Sequence, residues 1–295
     1  SPVLAAWGAG VDSTAMLIEL VARGEPVDQV LFADVGAEKA ETLDFVPVFR
    51  AWLADHGVPS EVVRYAPKNF KNWPPYRTLI ENLLTNGTLP GIAFGRGTCS
   101  QKWKAAPQHT WAKGWPPAQA AWAAGRKVVK LIGYDAGPAD DRRFRVAQAI
   151  DDPLYEHRYP LREWGWTRPD SIARIRRAGL PVPVKSACFF CTAARPAEIR
   201  ALPADQLRQI VLIEARARPR LAQHRRALAQ GGEGRAGRRT PARGDDRLHT
   251  PGGPARCRGD RGDQRGGPAE PHPLAGRRRR RGRAAGAAAL GDGVR

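Results

Sequence analysis

Four cysteines (Cys99, Cys188, Cys191 and Cys257) in 295 residues are too few for a disulfide framework and point to reduced thiols in a cytoplasmic setting. No apolar run approaches the roughly 18–20 residues of a membrane span. No basic segment leads into an apolar stretch near the start, so neither an anchor nor a secretory signal is expected, and Ser1 in place of Met reads as a trimmed beginning. Other absences are regional. All nine Trp, five Tyr and eight Phe lie at or before Phe190, the last lysine is Lys185 and the last isoleucine is Ile213.

Residues 231–295 hold 16 Arg, 16 Gly and 6 Pro, with Leu248, Leu274, Leu290 and Val294 as their only large aliphatics. Such a stretch cannot bury enough apolar surface to offset chain entropy. The expectation is a folded domain over 1–228 and a disordered basic tail over 229–295. The five-arginine run Arg277–Arg281 repels itself in any compact state. The abrupt change suggests a frameshifted reading of a GC-rich gene, with an Arg-rich nucleic-acid tail as the alternative. The tail carries +9 of the net +19, which leaves +10 on residues 1–230. A basic body suits an anionic substrate or a nucleic acid, or is simply a solvated surface.

Along the body, apolar strands alternate with helical stripes. Val3–Trp7, Val30–Ala33, Glu61–Tyr65 and Lys127–Ile132 read as strands. Helices are expected over the stretch beginning at Ala15 and over Glu41–Asp55, where Pro47 must bend the helix or lie near its start. Two further stripes run through Tyr76, Leu79, Ile80, Leu83 and Leu84, closed by Asn86-Gly87, and from Thr167-Arg168-Pro169-Asp170 into Ile172 and Ile175. A last helix is expected over Ala204–Arg218, ended by Pro219. The alternation argues for an α/β fold, a mostly parallel Rossmann-like sheet with helices on both faces. Ligands of such folds sit beyond the carboxyl ends of the strands.

The informative residues fall at those ends. Val3–Trp7 runs into Gly8-Ala9-Gly10-Val11-Asp12-Ser13-Thr14 and then a helix. Glycines at 8 and 10 free the backbone so that successive N–H groups can converge on an anion at a helix N-terminus. Ser13 and Thr14 would add hydroxyl donors and Asp12 would cap the helix or hold the loop. The same spacing also serves an ordinary strand-to-helix turn. It lacks the Gly-Lys-Ser/Thr ending of a Walker loop and the third glycine of a dinucleotide fingerprint.

Gly8–Thr14 resembles the pyrophosphate (PP) loop of the adenine nucleotide alpha hydrolase superfamily, usually Ser-Gly-Gly-x-Asp-Ser, with Gly8 for the Ser and Ala9 for the first Gly. Further segments resemble, in order, the phosphoadenylyl-sulfate (PAPS) reductase-like proteins of bacteria and phages: Phe32–Glu38, Thr98–Lys102, Leu131–Gly137, Tyr159–Leu161, Glu163–Trp166 and Lys185–Cys191. The resemblance implies an adenine nucleotide, ATP or PAPS, cradled by Gly8–Thr14, with Asp34 near its ribose or base and Gly133, Tyr134 and Asp135 beside it. It also implies an electron or sulfur donor protein. The C-terminal Glu-Cys-Gly-Leu-His motif that carries the nucleophile of authentic PAPS reductases is not in this sequence.

Cys188-x-x-Cys191 with Cys99 makes three thiols that can hold an iron–sulfur cluster, or zinc with a fourth ligand such as His109. A redox or nucleophilic thiol pair and plain core packing are the other readings. Lys102, Lys104, Arg142, Arg143 and Lys185 flank the motifs as candidate contacts for a substrate anion, each equally able to be a solvated surface charge. Asp135 with Asp140-Asp141 can assist a magnesium ion on nucleotide phosphates or cap a loop. Two chemistries fit: thiol-based reduction or transfer on a sulfonucleotide, and ATP-dependent adenylation with pyrophosphate release followed by attack of a low-pKa thiolate or sulfide. The rival is a nucleic-acid-binding module that keeps the fold without catalysis.

Overall fold

A computed structural model describes residues 1–70, 72–93 and 96–233. Expectations for the rest of the tail, Cys257 and the arginine run included, lie outside these residues. In chain order the elements are β1 (Val3–Trp7), α1 (Val11–Ala22), β2 (Gln29–Asp34), α2 (Ala40–Asp55), β3 (Ser60–Arg64) and α3 (Leu79–Asn86). A two-stranded antiparallel pair follows, β4 (Ile92–Ala93) and β5 (Arg96–Gly97), then a π-helix over Ser100–Ala105, α4 (Ala106–Lys113) and α5 (Pro116–Ala123). The chain continues through β6 (Val128–Ile132), α6 (Pro138–Gln148), β7 (Tyr155–Arg158), α7 (Pro160–Glu163), α8 (Arg168–Arg177), α9 (Pro196–Arg200) and α10 (Ala204–Glu233).

The main sheet has the order β3-β2-β1-β6-β7, and every pairing in it is parallel. Both faces are covered, as a parallel sheet of apolar strands requires. One face packs Val3, Ala5 and Trp7 against Met16 and Leu20 of α1, Phe45 and Phe49 of α2 and Ile175 of α8. The other packs Leu4, Leu31 and Val63 against Ala112 of α4 and Ala118 and Ala121 of α5. A third cluster lies beyond the ends of the strands: Val35, Ala37, Tyr76, Leu79, Leu83, Trp103, Phe189, Phe190 and Ile213. Among the described residues no helix is long and apolar enough to cross a membrane.

Of the two expected placements Pro47 takes the interior one, in the middle of α2. Several local expectations need correction. The stripe from Tyr76 becomes helical only at Leu79, because Thr78 and Glu81 form a capping box there, and Tyr76 packs from the preceding segment. Strand β7 has too little apolar content (Tyr-Glu-His-Arg) to signal itself. Helix α10 does not stop before Pro219 but runs through it to Glu233. Its turns on either side are held by burial of Ile213 and Ala217 and by Arg216 and Arg220 donating to the Leu84 and Asn86 carbonyls, contacts that outweigh one lost helix hydrogen bond.

Candidate functional site

Strand β1 ends on the buried Trp7, and the chain turns into α1 within three residues. Gly8 N–H donates to Ser13 Oγ at 3.2 Å, which ties the loop to the helix it feeds. The left-handed residue of this loop is Ala9, at φ 53°, the only non-glycine with positive φ among the described residues. The expected glycine freedom is therefore needed at Ala9. Gly10 sits at φ −107°, ψ 173°, open to any residue. What Gly10 requires is space, since a Cβ there would lie 2.6 Å from Ser186 Oγ. Gly133, after β6, is held to glycine more firmly, because its missing Cβ would lie 2.7 Å from the backbone Cα of Ser13, whereas the Ser186 hydroxyl over Gly10 can rotate.

The first hydrogen bond of α1 runs from Thr14 N–H to the Gly10 carbonyl, 3.1 Å. The amides of Val11, Asp12 and Ser13 precede it, and no side chain caps them. Three uncapped N–H groups at the positive end of a twelve-residue helix can donate to an anion. Thr14 is not part of this group. Its side chain is fully buried and its hydroxyl accepts the Trp7 indole N–H at 2.9 Å.

Asp12 pairs with Arg168 of α8 at 3.0 Å, but its Oδ1 is buried without a partner. Burial pushes its carboxyl up to about 6 against the pull of Arg168, with Asp135 and Asp140 adding to the rise. Asp135 and Asp140, both buried, shape the turn after β6: Asp135 Oδ1 accepts from Gly137 N–H, and Asp140 Oδ2 from Asp135 N–H. Arg143 pairs with Asp140 and lies over the Tyr134 ring at 5.1 Å. Asp34, expected near the ribose, is engaged by its surroundings, accepting Gly36 N–H at 2.8 Å and the Arg64 guanidinium at 2.7 Å.

The cysteine segment reaches this loop from the far end of the body. Ser186 sits over Gly10, Cys188 forms an antiparallel bridge with Glu38, and Phe189 N–H donates to the Ala37 carbonyl at 3.2 Å. Glu38, with no exposed side-chain surface, accepts from Lys104 at 2.9 Å, while its Oε2 has no partner. Burial pulls the Lys104 ammonium down, yet the Glu38 carboxylate outweighs it and the net shift is upward. Burial pushes the Cys188 thiol up to about 12; Glu38 adds to this and Lys104 opposes it. The low-pKa thiolate expected from the sequence is not what this environment favours at Cys188.

Cys99 packs beside Cys188 at the third cluster, and both it and Cys191 act on the Cys188 thiol. All three are unbridged. Among the described residues no three His, Cys, Asp or Glu side chains stand close enough together to hold a metal ion. His109 is turned elsewhere, its Nδ1 2.9 Å from the Tyr155 hydroxyl and its ring beside Trp122.

The proposed anion contacts divide. Lys102 sits over the rings of Tyr65, Tyr76 and Trp103 at 5.2–5.7 Å. Lys185 is exposed and paired with Glu198 at 3.0 Å, and Arg142 is exposed on α6. Lys104, with the Trp7-Gly8 turn, Ser100, Gln108, Lys130 and Tyr134, lines a cavity of about 230 Å³ over the ends of β1, β2 and β6. Two residues of this region, Ser186, which lies in the Lys185–Cys191 segment, and Lys130, were not singled out as site residues from the sequence. Lys130 did leave a signal, as the one charge in the strand Val-Val-Lys-Leu-Ile. No protein-family model matches the chain, and no curated protein matches it either.

Proposed function

We propose that this chain is a PAPS reductase-like, PP-loop protein. In this reading it binds an adenine nucleotide at Gly8–Ser13 and performs sulfur-related reductive or transfer chemistry with its thiols. The observation that carries the reading is the meeting of distant motifs at one sheet edge. The uncapped N-terminus of α1, the loop after Asp34 and the Cys188 segment are far apart in sequence, yet Ser186 touches Gly10 and Cys188 bridges Glu38.

The α1 amides would hold nucleotide phosphate, and Ser186 would close the loop from above. On a sulfonucleotide, a thiolate attacks the sulfonate sulfur and the S–O bond to the phosphate breaks. The nucleotide then leaves with that oxygen. A second thiol displaces sulfite, forming a disulfide that a thiol donor protein must reduce again. Cys188 and Cys191, two residues apart, suit the pair. Because burial and Glu38 hold Cys188 protonated, its proton has to leave as the substrate binds, and the nearby Lys104 charge favours that. With ATP instead, a substrate oxygen attacks the α-phosphorus and pyrophosphate leaves against the helix N-terminus. A sulfur nucleophile then displaces AMP from the activated carbon.

The second reading, nucleic-acid binding, is favoured by Trp73, which is 80 % exposed near Phe70 in a segment that also carries Lys68 and Arg77. Such rings can stack on bases beside cations.

Titration calorimetry of the full chain with ATP and PAPS tests the main reading. Gly10→Val fills the space under Ser186, and a loss of about a hundredfold in nucleotide affinity is expected, equivalent to roughly 3 kcal/mol. Equal affinity in the two proteins would remove the phosphate cradle. Anaerobic purification with iron and zinc analysis and absorbance near 400 nm (~400 nm is where iron–sulfur clusters absorb) decides between bound cluster, zinc and free thiols.

A further inference from the structure

Lys130 is the cation of this region that is both buried and without a carboxylate partner among the described residues, whereas Lys102 and Arg142, also unpaired, are half-buried and exposed. It is the third residue of β6, and only 8 % of its surface is exposed. Lys104, Arg143 and Lys185 each have a carboxylate partner. Lys130 has none within ion-pair distance among the described residues, and its close neighbour is the Tyr155 ring, 5.2 Å from Nζ. Burial accordingly pulls its ammonium down to about 8, opposed only by Asp152. A buried cation without a counter-ion at ion-pair distance is costly, and an anion in an adjoining cavity would offset that cost.

The place for such a ligand adjoins it. Lys130 lines the 230 Å³ cavity together with Gly8, Ser100, Lys104 and Gln108. That volume lies below the roughly 300–1,000 Å³ of pockets for whole ligands, so it takes one group of a molecule. Lys130, the Ser100 hydroxyl and the Gln108 carboxamide offer donors, whereas the charge of Lys104 is already balanced by Glu38. Gly8 joins the cavity to the glycine loop, which makes it the natural place for a second negatively charged group of whatever sits there.

We propose that Lys130 is the receptor for a substrate oxyanion, a sulfonate, phosphate or carboxylate that enters the cavity beside the glycine loop. The assignment rests on the nucleotide reading only for the identity of the molecule that carries the group. It adds a specificity residue at a position that the glycine, aspartate and cysteine motifs do not contain.

The test is titration calorimetry of the full chain at pH 7 with sodium sulfate as probe, comparing Gly10→Val with Gly10→Val/Lys130→Met. The Gly10→Val background removes sulfate held by the loop. Lys130→Met should weaken the remaining binding by about tenfold or more, the worth of one charge-assisted contact. The same substitution should raise the melting temperature of the otherwise unaltered chain, because a thioether of similar length replaces an unpaired buried charge. That readout shows the variant is folded. Sulfate binding that is unchanged by Lys130→Met, or absent from Gly10→Val and wild type alike, would overturn the assignment. If neither ATP nor PAPS binds the wild type while sulfate binding still depends on Lys130, the nucleotide reading fails and the oxyanion site stands.

Discussion

The glycine loop is tied by short-range hydrogen bonds, Trp7 to Thr14, Gly8 to Ser13 and Thr14 to Gly10, with Asp12–Arg168 as its one ion pair to a distant helix. The cysteine region is made the opposite way. Cys188 meets Glu38, Glu38 meets Lys104, and Ser186 meets Gly10, with scores of residues between each pair of partners. The first region is a local unit whose shape follows from short-range sterics and hydrogen bonds. The second exists only once the sheet has brought its members together, and like Asp12 in the first it holds a buried carboxylate oxygen without a partner. Glu38 Oε2 is unpartnered there, and the Cys188 thiol is pushed up by burial and by that same carboxylate.

That contrast can be broken most forcefully at Glu38. Glu38→Ala removes the carboxylate that holds Lys104 and is expected to cost about 2 kcal/mol of stability in denaturant melts, less than for a fully buried pair because a third of the Lys104 side chain reaches solvent. The double variant Glu38→Leu/Lys104→Met should recover most of the loss, since apolar replacement of both partners removes the stranded charge. A single-variant cost under about 0.5 kcal/mol, the range of plain surface changes, would mean that water already serves the pair.

A smaller net effect is expected where the two regions adjoin, at Asp12. Its folded-state pKa of about 6 lies above the ordinary 3.8, so the native state holds the proton more tightly than the unfolded chain does. Its contribution is therefore most favourable below about pH 4 and is lost as pH rises from about 4 to about 6, a swing of about 3 kcal/mol. Asp12→Asn should flatten that part of the stability profile. At pH 7.5 (~1.5 units above the swing) it should leave a net gain of about 1–2 kcal/mol after the loss of the Arg168 contact. Parallel profiles for the two proteins would show that Asp12 is solvated in the native state.

The smallest change sharpens the picture of the local unit. Ala9 bears the positive φ that its neighbours do not need. Ala9→Gly relieves the clash of its Cβ with the backbone and loses some unfolded-state restriction, for a net gain of about 0.5 kcal/mol. Thermal melts of the pair check it, and a destabilised Ala9→Gly would mean that the buried methyl matters more than the backbone strain.

Much of the fold was legible because it is written in nearby residues. Short apolar runs marked β1 and β2, a run broken by one lysine marked β6, and the Thr167–Asp170 spacing marked the start of α8, whereas the Thr78–Glu81 cap that starts α3 was passed over. Strand β7 and the passage of α10 through Pro219 left no such trace, since both depend on partners elsewhere in the chain. The π-helix that aims Lys104 at Glu38 was equally silent. By itself the sequence determined a parallel α/β sheet, a glycine-flanked turn into α1 and a pair of closely spaced thiols. Only the tertiary structure decided that Ala9 rather than a glycine takes the left-handed conformation, that Gly133 is held to glycine by the Ser13 backbone, and that Lys130 is buried without a counter-ion at ion-pair distance. The physical reason is range. Hydrogen bonds and backbone sterics within a turn are fixed by adjacent residues, whereas close approach and desolvation depend on what the rest of the chain packs against them.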